Sequence, residues 1–555
     1  MEKDWWKGKV AYQIYPKSFK DSNGDGVGDL KGITEKLDYL QQLGIDILWL
    51  SPVYKSPFID QGYDISDYYA IDPLFGTMED MEELIAEGKK RDISIIMDLV
   101  VNHCSSHHEW FQKALADPDG PYADYFYFIE SDKEPNNWES YFGGSVWEPV
   151  PGTNKYYLHS FHKDQPDLNW QNPVLREEIY TMINWWLDKG IAGFRIDAII
   201  NIKKDLEWRS LPSDRKNGLV PVPESLVNAQ PIEPFLQKLK ERTFAKYNAF
   251  TVGEVFNETD EELHFFIGKD GVFSSIFDFK QTCLGQEGKG WFDHTLPTAE
   301  ELKESIFQAH ERADRIGVLS TIIENHDEPR GVSHYIAEGP VNDTSKKALG
   351  TIQVLRKGIP FIYQGQEIGM ENQVFESVED FDDIATINGY HVAKEAGLSE
   401  EEALAVIANY SRDNARTPMQ WSAEPGLGFS DGPAWLISPK PDYSINVEDQ
   451  EKDPDSILNY YRQLTALYRH PLYGNTIRFG DMIPAYRERE NIIGFERRGD
   501  KRLLVISNFQ NRQATLELTA PIKTVVLNNT AGLFQEGDQV LELSPYQTIV
   551  LELVE

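Results

Sequence analysis

Eight short apolar segments, separated by helix-like patterns, constrain the fold of this chain more than any other feature. In chain order they read VAYQIY, IDILWL, SIIMDLV, GFRIDA, FTVGEV, SIFDF, STIIEN and PFIYQG. Continuous apolar runs of this length are typical of strands that are buried on both faces of a parallel sheet. Between them, patterns such as LKGITEKLDYLQQLG and VLREEIYTMINWWLDKG repeat apolar residues at helical spacing and end in glycine. The alternation predicts an α/β protein with a parallel sheet.

The number of strand units favours a closed barrel. Eight units, with polar residues just after most strands, predict a (β/α)8 TIM barrel whose functional site lies at the C-terminal rim. An open doubly wound sheet is the structural alternative. No G-x-G-x-x-G turn follows a predicted strand to support it.

Three regions depart from the repeating pattern and predict additional domains. Residues 104–170, after the third strand, are rich in aromatic residues, Pro and Asn, and we interpret them as an inserted B domain. Residues from about 371 to 455 form an irregular insertion at the rim. Alternating segments such as KRLLVISNF predict a C-terminal antiparallel β-sandwich over 480–555. The catalytic barrel then takes residues 1–103 and 171–479.

Composition limits the partners of this 555-residue chain. The 54 basic and 90 acidic residues give a net charge of -36, which opposes binding to nucleic acid or anionic membranes. The N-terminus MEKDWWKGKV lacks an apolar secretion segment, and no run approaches the roughly 20 apolar residues that span a bilayer. Cys104 and Cys283 are typical of reduced cytosolic thiols, although one bridge between them stays open. We therefore expect a cytoplasmic monomer or weak homo-oligomer with no nucleic-acid or membrane partner.

Three carboxylic acids follow predicted barrel strands. Asp197 ends GFRIDA, Glu254 lies in FTVGEV, and Asp327 follows STIIEN. One such acid often caps a helix or pairs with arginine, but three on one rim favour catalysis. Arg195 lies two residues before Asp197 on the same strand face, where its guanidinium can keep that acid ionised and oriented. We interpret Asp98 as a buried partner of Arg195 and leave it out of catalysis.

Five motifs in a fixed order carry a resemblance over nearly the whole chain. They are DLVVNH (98–103), QPDLNW (165–170), GFRIDA (193–198), GEVF (253–256) and NHD (325–327). In them the chain resembles the α-amylase-type glycoside hydrolases of family 13. QPDLNW is similar to the signature of the oligo-1,6-glucosidase and α-glucosidase group, which includes dextran glucosidases. The resemblance implies an exo-acting α-glucosidase that acts on short α-glucosides: isomalto-oligosaccharides, panose, maltose or sucrose.

The resemblance also implies the catalytic roles. Asp197 is expected to be the nucleophile, Glu254 the general acid and then base, and Asp327 the carboxylate that holds sugar hydroxyls. Such retaining hydrolysis uses an ionised carboxylate that forms a glycosyl ester and a protonated carboxyl that donates to the leaving oxygen. The two carboxyls lie about 5 to 5.5 Å apart.

A larger set is expected, by resemblance, to bind the sugar. Its two histidines are expected to hydrogen-bond glucose hydroxyls, and its Tyr and Phe to stack on sugar C–H faces, with core packing as the alternative. An Asp–Arg pair is expected to close the pocket around the terminal glucose, with a surface salt bridge as the alternative. The set comprises Asp60, Tyr63, His103, Phe161, Gln165, Arg195, His326 and Arg412.

Three positions depart from the pattern of the resembling group. After the nucleophile, relatives that prefer α-1,6 bonds usually carry Val and those that prefer α-1,4 bonds Thr. This chain has Ala198, so the linkage preference stays open. Gln366 stands where an acid is common, and Glu328 stands where an uncharged residue is usual. We expect both to affect the binding site for the departing sugar.

Other activities on the same scaffold stay open. A transglucosylase would use the same nucleophile. It would differ only in the molecule that accepts the sugar in the second step of the reaction. A sucrose isomerase calls for an arginine-rich loop after Asp327, which EPRGVSHYI matches poorly. A trehalose-6-phosphate hydrolase calls for a basic cluster, of which Arg330 is the one obvious member in the motifs. Some relatives are non-catalytic transporter subunits, which lack the three catalytic acids and carry a membrane helix. This chain has the acids and no such apolar run, so a transporter subunit is the weakest of the alternatives.

The stretch DSNGDGVGDLKG, residues 21–32, lies between the first predicted strand and helix. It resembles the start of an EF-hand calcium loop, but Gly32 stands where such a loop needs its glutamate. In the resembling group this loop binds one structural Ca2+. The ligands implied here are Asp21, Asn23, Asp25, the carbonyl of Val27, and Asp29. Mg2+ or an unmetallated Asx turn are the alternatives, and no organic cofactor is expected.

Overall fold

The computed structural model of this chain describes residues 4–256, 258–286, 290–532 and 534–554. Eight parallel strands form a closed barrel and follow one another around it in chain order. They are β1 (Ala11–Ile14), β2 (Ile47–Leu50), β3 (Ser94–Val100), β4 (Gly193–Asp197), β5 (Phe250–Gly253), β6 (Ser275–Phe277), β7 (Leu319–Thr321) and β8 (Ile359–Tyr363). The predicted TIM barrel is confirmed, and the doubly wound alternative is wrong.

Burial explains why these segments form the barrel. Every residue of β1, β2, β4, β5 and β8 is buried, as continuous apolar runs predict. The register of β4 against β3 and β5 pairs Arg195 with Asp98 on one side and with Val252 on the other. This register fixes the position of Arg195 between two strand ends that carry acids.

Helices alternate with the strands. The predicted helix over 174–190 is confirmed as Pro173–Lys189, which ends at Gly190 with a φ of 105°. The pattern over 30–44 forms two short helices instead of one, because the backbone leaves helical geometry at Lys36. The α-helices are Leu30–Glu35, Leu37–Gln42, Met78–Lys90, Glu109–Ala116, Pro173–Lys189, Val222–Ser225, Glu233–Arg242, Phe244–Tyr247, Asp260–Ile267, Ala299–Ala313, Gly331–Tyr335, Asp343–Leu355, Ile384–Glu395, Glu400–Tyr410, Asp413–Arg416, Val447–Lys452, Ile457–Leu467 and Gly474–Phe479.

The chain divides into two compact units. The first comprises residues 49–86 and 94–276 together with Asp4, and the second residues 5–48, 87–93 and 277 onward. The predicted domain boundaries at 103/104, 170/171 and 479/480 differ from this division and stay predictions.

In the first unit, the predicted B region holds a small antiparallel sheet. Its strands are Phe128–Glu130, Lys155–Leu158 and Trp147–Pro149. The loop after β4 also joins this region, since Val220–Pro221 pairs with Trp138–Glu139 and Trp208 packs on its aromatic core. The sequence pattern had assigned that loop to the barrel alone. A further antiparallel pair in this unit is Tyr54–Lys55 with Asp67–Ile71.

In the second unit, the C-terminal segment forms the predicted antiparallel β-sandwich. The five-stranded sheet contains Asp481–Ala485, Ile492–Arg498, Arg502–Asn508, Thr548–Leu553 and Ile522–Asn528. The two-stranded sheet contains Ala514–Glu517 and Val540–Leu543. Buried residues of both sheets, such as Leu504 and Leu541, share one core, so this domain prediction is confirmed.

Two further expectations concern cysteines and membranes. Cys104 and Cys283 are both thiols, so the disulfide alternative is wrong. In the part of the chain that the structure describes, none of the helices combines the length and apolarity required to cross a bilayer.

Candidate active site

Arg195 lies at the centre of three carboxyls in the first unit. Its Nη1 is 2.8 Å from Oδ1 of Asp98 and 2.6 Å from Oδ1 of Asp197, and its Nη2 is 2.9 Å from Oε2 of Glu254. Asp98 pairs with Arg195 across β3 and β4, Asp197 ends β4, and Glu254 directly follows β5. The arginine side chain is 1 % exposed. One buried positive charge therefore serves three acids, and the interpretation of Asp98 as its partner is confirmed.

Burial favours the protonated form of Asp197 and Asp98 in this group. Burial raises the pKa of Asp197 well above its usual range, and Arg195 acts in the opposite direction. Burial likewise raises the pKa of Asp98 to about 6 against the effect of Arg195. An ionised Asp197 therefore depends on the guanidinium beside it.

Two aromatic side chains hold the arginine and Asp98 in place. Trp49 Nε1 and the Tyr63 hydroxyl donate to Oδ2 of Asp98 at 3.1 and 2.9 Å. The Arg195 guanidinium lies 5.2 Å from the Trp49 ring centroid and 5.8 Å from that of Tyr63. Tyr63 is 6 % exposed, so the position predicted for sugar stacking also supports the ion cluster.

The residue after Asp197 contacts Glu254 directly. The Ala198 backbone N–H donates to Oε2 of Glu254 at 2.7 Å. Ala198 has a φ of 42°, in the left-handed region that disfavours branched side chains. The turn therefore positions the Glu254 carboxyl and favours a small side chain at this point.

Four other predicted sugar-binding residues lie together in the first unit. Gln165 Nε2 donates to Asp60 Oδ2 at 3.0 Å and lies 3.2 Å from His103 Nε2, which is itself 3.0 Å from the Tyr63 carbonyl. The Phe161 ring centroid is 5.1 Å from that of His103. Burial lowers the pKa of His103, so this histidine is neutral near pH 7. Contact of this group with a sugar stays a prediction.

A buried ion pair that sequence reasoning missed supports this group. Lys204 Nζ is 2.9 Å from Oδ2 of Asp167 and 3.4 Å from Oδ1 of Asn102. Oδ1 of Asp167 accepts the Ser160 backbone N–H at 2.9 Å. Asp167 belongs to the QPDLNW motif. Lys204 lies in the loop after β4 and belongs to none of the motifs, so the sequence did not indicate this ion pair.

Asp327 lies at the centre of a second charged group, in the second unit. Its Oδ1 accepts Arg412 Nη1 and Arg416 Nη2, both at 3.0 Å, and its Oδ2 is 3.1 Å from His326 Nε2. Arg412 also donates to Asp383 Oδ1, with Nη2 at 2.5 Å and Nε at 3.0 Å. The Arg412 side chain is 15 % exposed, and the surface salt bridge considered for it stays an alternative. Sequence reasoning missed Arg416, which ends the short helix Asp413–Arg416, and Asp383, which directly precedes the helix Ile384–Glu395.

This second group favours an ionised Asp383. Burial alone would raise the pKa of Asp383, but Arg412 and Arg416 lower it to about 2. His326 is held by Gln13, whose Nε2 lies 2.8 Å from Nδ1 of the ring.

Gln366 and Glu328, two of the three departures from the family pattern, differ in their surroundings. Gln366 is 2 % exposed, and its Nε2 donates to Gln353 Oε1 at 3.2 Å and to the Tyr461 hydroxyl at 3.0 Å. The Gln366 amide is therefore held by buried partners, and its effect on the departing-sugar site stays a prediction. Burial and the neighbouring Asp327 raise the pKa of Glu328 to about 8. The role of Glu328 stays a prediction.

The glycine-rich loop connects β1 to the helix Leu30–Glu35. The Asn23, Asp25 and Val27 backbone N–H groups donate, each at 2.9 Å, to side-chain oxygens of Asp21, Asn23 and Asp25 respectively. These successive turns bring side-chain oxygens of Asp21, Asn23 and Asp25 into one short loop. Oxygen atoms of this kind are the ligands that Ca2+ prefers. Among the described residues, no three His, Cys, Asp or Glu side chains are grouped as metal ligands. A cation here would therefore also need the Asn23 amide and the Val27 carbonyl.

The barrel and its acid-bearing strand ends define a glycosidase of the α-amylase class. The family described as "Alpha amylase, catalytic domain" matches residues 13–472, and the chain belongs to this family of glycoside hydrolases. It is 42 % identical to the glucan 1,6-alpha-glucosidase of Streptococcus pneumoniae, over 100 % of both chains. It is 40 % identical to the oligo-1,6-glucosidase of Bacillus cereus, again over 100 % of both. Among solved structures, the isomaltulose synthase of Klebsiella sp. LX3 superposes with a TM-score of 0.93 at 36 % identity, covering 99 % of each chain. The family predicted from the motifs is confirmed.

Proposed function

We propose that this protein is an exo-acting, retaining α-glucosidase that releases glucose from the non-reducing ends of short α-glucosides. Isomalto-oligosaccharides and panose are the proposed main substrates, with maltose and sucrose as further ones. The observation that carries the proposal is the sharing of Arg195 by Asp197 and Glu254, which follow adjacent strands. Two carboxyls on one guanidinium suit the close acid pair that retaining hydrolysis requires.

In the proposed reaction, an Asp197 oxygen attacks the anomeric carbon while the Glu254 carboxyl gives its proton to the leaving oxygen. The glycosidic bond breaks, and a glucosyl ester of Asp197 forms. Glu254 then takes a proton from water, whose oxygen attacks the anomeric carbon and releases glucose with retained configuration. Asp327 is proposed to hold hydroxyls of the distorted sugar. These roles rest on the family motifs together with the hydrogen bonds around Arg195.

The names of the two sequence relatives support the preference for α-1,6 bonds. Exo-action is proposed from Asp60 and Arg412, the pair that closes the pocket in the resembling group. The side chain of Asp60 is fixed by Gln165 and that of Arg412 by Asp383, so neither is a mobile surface residue. Fixed polar groups of this kind suit recognition of one terminal sugar.

A substrate panel tests this proposal. Initial rates are measured on isomaltose, panose, maltose, sucrose, trehalose-6-phosphate and starch, and proton NMR follows the anomer first released. We expect isomaltose and panose to be hydrolysed fastest, with α-glucose as the first product and starch barely attacked. Fast internal cleavage of starch or release of β-glucose would contradict the proposal.

Sucrose isomerisation is the second candidate, because the solved structure reported above is an isomaltulose synthase. An isomerase and a hydrolase would form the same glucosyl ester and differ in whether fructose or water accepts the glucose. Chromatography of the sucrose products separates them: we expect glucose and fructose. Isomaltulose or trehalulose as the main product would favour the second candidate. A transglucosylase is tested by incubating the protein with isomaltose at high concentration and separating the products by chromatography. Oligosaccharides longer than isomaltose would indicate transfer of glucose to a second isomaltose molecule.

We also propose that the loop of residues 21–29 binds one structural Ca2+ through Asp21, Asn23, Asp25, the Val27 carbonyl and Asp29. Bound Ca2+ would stabilise this loop by mass action. We expect one metal per chain by elemental analysis and a thermal midpoint that falls by several degrees in EGTA and recovers with Ca2+. Recovery with Mg2+ alone would identify the other cation. A chain that contains no metal and melts identically in EGTA would contradict the site.

We further propose a cytoplasmic location and a monomeric or weakly homo-oligomeric state. The thiol form of both cysteines and the strongly acidic composition support this. Light scattering during size-exclusion chromatography, over a range of protein concentrations, checks the oligomeric state. A stable higher oligomer at low concentration would contradict it.

A further inference from the structure

A surface groove in the first unit lies between two segments outside the Arg195 group. Residues 121–125 form one wall, and residues 169–174, at the start of the helix Pro173–Lys189, form the other. The groove has a volume of about 580 Å³. A neighbouring cavity of about 330 Å³ shares Asp124 and Asn169 with it. Together they have the size of a small-molecule site and offer room for several linked sugars.

Aromatic and ring-bearing side chains provide flat surfaces in this groove. Tyr122 and Tyr125 lie with ring centroids 5.1 Å apart and planes at 53°. Lys113 Nζ lies 4.7 Å from the centroid of the Tyr122 ring. Pro121 and Pro173 add rigid apolar edges. Flat, partly polar surfaces of this kind pack against the C–H faces of sugars.

Polar groups with unused hydrogen-bonding capacity lie beside these rings. In the described residues, no side chain or backbone group bonds to the Asp124 carboxylate, the Gln171 side-chain amide or the Tyr125 hydroxyl. The amides of Asn169 and Asn172, in contrast, are fixed by donation to the Asp124 carbonyl at 3.0 and 3.1 Å. The groove therefore offers both donors and acceptors on a preformed frame, as sugar hydroxyls require.

We infer that this groove is a second, non-catalytic binding site for a soluble α-glucan chain. Stacking on Tyr122 and hydrogen bonds to Asp124 and Gln171 hold the chain, and the neighbouring cavity accepts its next sugars. The site would hold a glucan chain on the protein surface, whose end could supply short α-glucosides at a raised local concentration. Binding here requires no catalysis, so the inference can stand or fall separately from the proposed activity.

Affinity electrophoresis of the full-length protein in gels containing dextran tests the inference. Saturating 1-deoxynojirimycin, a monosaccharide-sized inhibitor, occupies the catalytic pocket during the run. We expect the wild type to be retarded under these conditions. We expect Tyr122→Ala and Gln171→Ala to weaken dextran binding, by roughly five- to tenfold for the tyrosine, as expected for the loss of one stacking surface. Tyr443→Ala, which removes another exposed tyrosine outside the groove, is the matched control and should migrate like the wild type.

Three results would overturn the inference: no retardation of the wild type, loss of retardation on adding the inhibitor, or wild-type retardation of both groove variants. Thermal melting of each variant checks folding, and Gln171 is exposed, so its replacement leaves the core intact. Hydrolysis of an aryl α-glucoside, measured in the same preparations, reports the proposed activity independently of dextran binding.

Discussion

The Arg195 cluster of the first unit and the Asp327 cluster of the second use the same residue types in different proportions. One guanidinium serves three carboxyls in the first cluster, whereas two guanidiniums are shared by two carboxylates in the second. The pKa values follow the charge balance. Asp98 rises to about 6 in the acid-rich cluster, and Asp383 falls to about 2 in the arginine-rich one.

This difference separates two kinds of chemistry. In the acid-rich group, burial raises the pKa of Asp197 and Asp98, so the ionised form of the proposed nucleophile depends on Arg195. In the second group, the two arginines lower the pKa of Asp383 to about 2, so this carboxylate stays ionised and holds Arg412, which suits the orientation of neutral hydroxyls. The predictions below test this division.

The largest expected effect is that of Asp197→Asn. The amide keeps the shape of the side chain but cannot form the glucosyl ester, so we expect kcat on isomaltose to fall by about 10⁴-fold or more. Steady-state rates measure it, and an unchanged thermal midpoint shows that the fold is kept. Hydrolysis at the wild-type rate would remove Asp197 from the role of nucleophile.

The next effect is that of Arg195→Met. The reaction needs ionised Asp197, and Arg195 lowers the pKa of that carboxyl, so its loss raises the pKa further. The acidic limb of the kcat/KM profile should move to higher pH, with a loss of about 10²-fold near pH 7. Arg195→Lys keeps the charge and should move the limb less. An acidic limb at the wild-type pH in Arg195→Met would break the proposed link between these residues.

Arg412→Ala tests the arginine-rich cluster. Arg416 remains to bind Asp327, so we expect the acidic limb to stay in place while kcat/KM on isomaltose falls by at least about tenfold. Arg242→Ala, which removes an exposed arginine paired with Glu177, is the control. Unchanged turnover of short substrates would remove the pocket argument. A shifted acidic limb would show that the two clusters do not divide their roles as described.

The smallest effect is that of Ala198→Val. Because φ at this position is 42°, a β-branched side chain should cost about 1 to 2 kcal/mol of unfolding free energy, measured by chemical denaturation. The strain should also displace the N–H that binds Glu254 and change the ratio of isomaltose to maltose hydrolysis. Ala198→Gly, which accepts this backbone, is the control. Equal stability and an equal ratio in the valine variant would contradict the positioning role of this turn.

The predictable features are those that repeat or lie on strands. The eight apolar runs predicted the barrel, and the two-residue spacing of Arg195 and Asp197 predicted their contact, because strand geometry puts both on one face. Arg416 lies in the one-turn helix Asp413–Arg416, Asp383 precedes the helix Ile384–Glu395, and Lys204 lies in the loop after β4. Their contacts could not be predicted, since the path of these segments depends on tertiary packing. The left-handed turn at Ala198 was hidden for a similar reason: alanine gives no signal of positive φ.

The central claim is that Asp197 attacks the anomeric carbon. The compound 5-fluoro-α-D-glucosyl fluoride labels a retaining glucosidase, because its glucosyl ester is hydrolysed slowly and therefore accumulates. Mass spectrometry of the digested protein then locates the labelled residue. We expect a single fluoroglucosyl group on the Asp197 carboxyl, within the peptide that contains GFRIDA. A label on Glu254 or Asp327, or turnover without any labelled peptide, would contradict it.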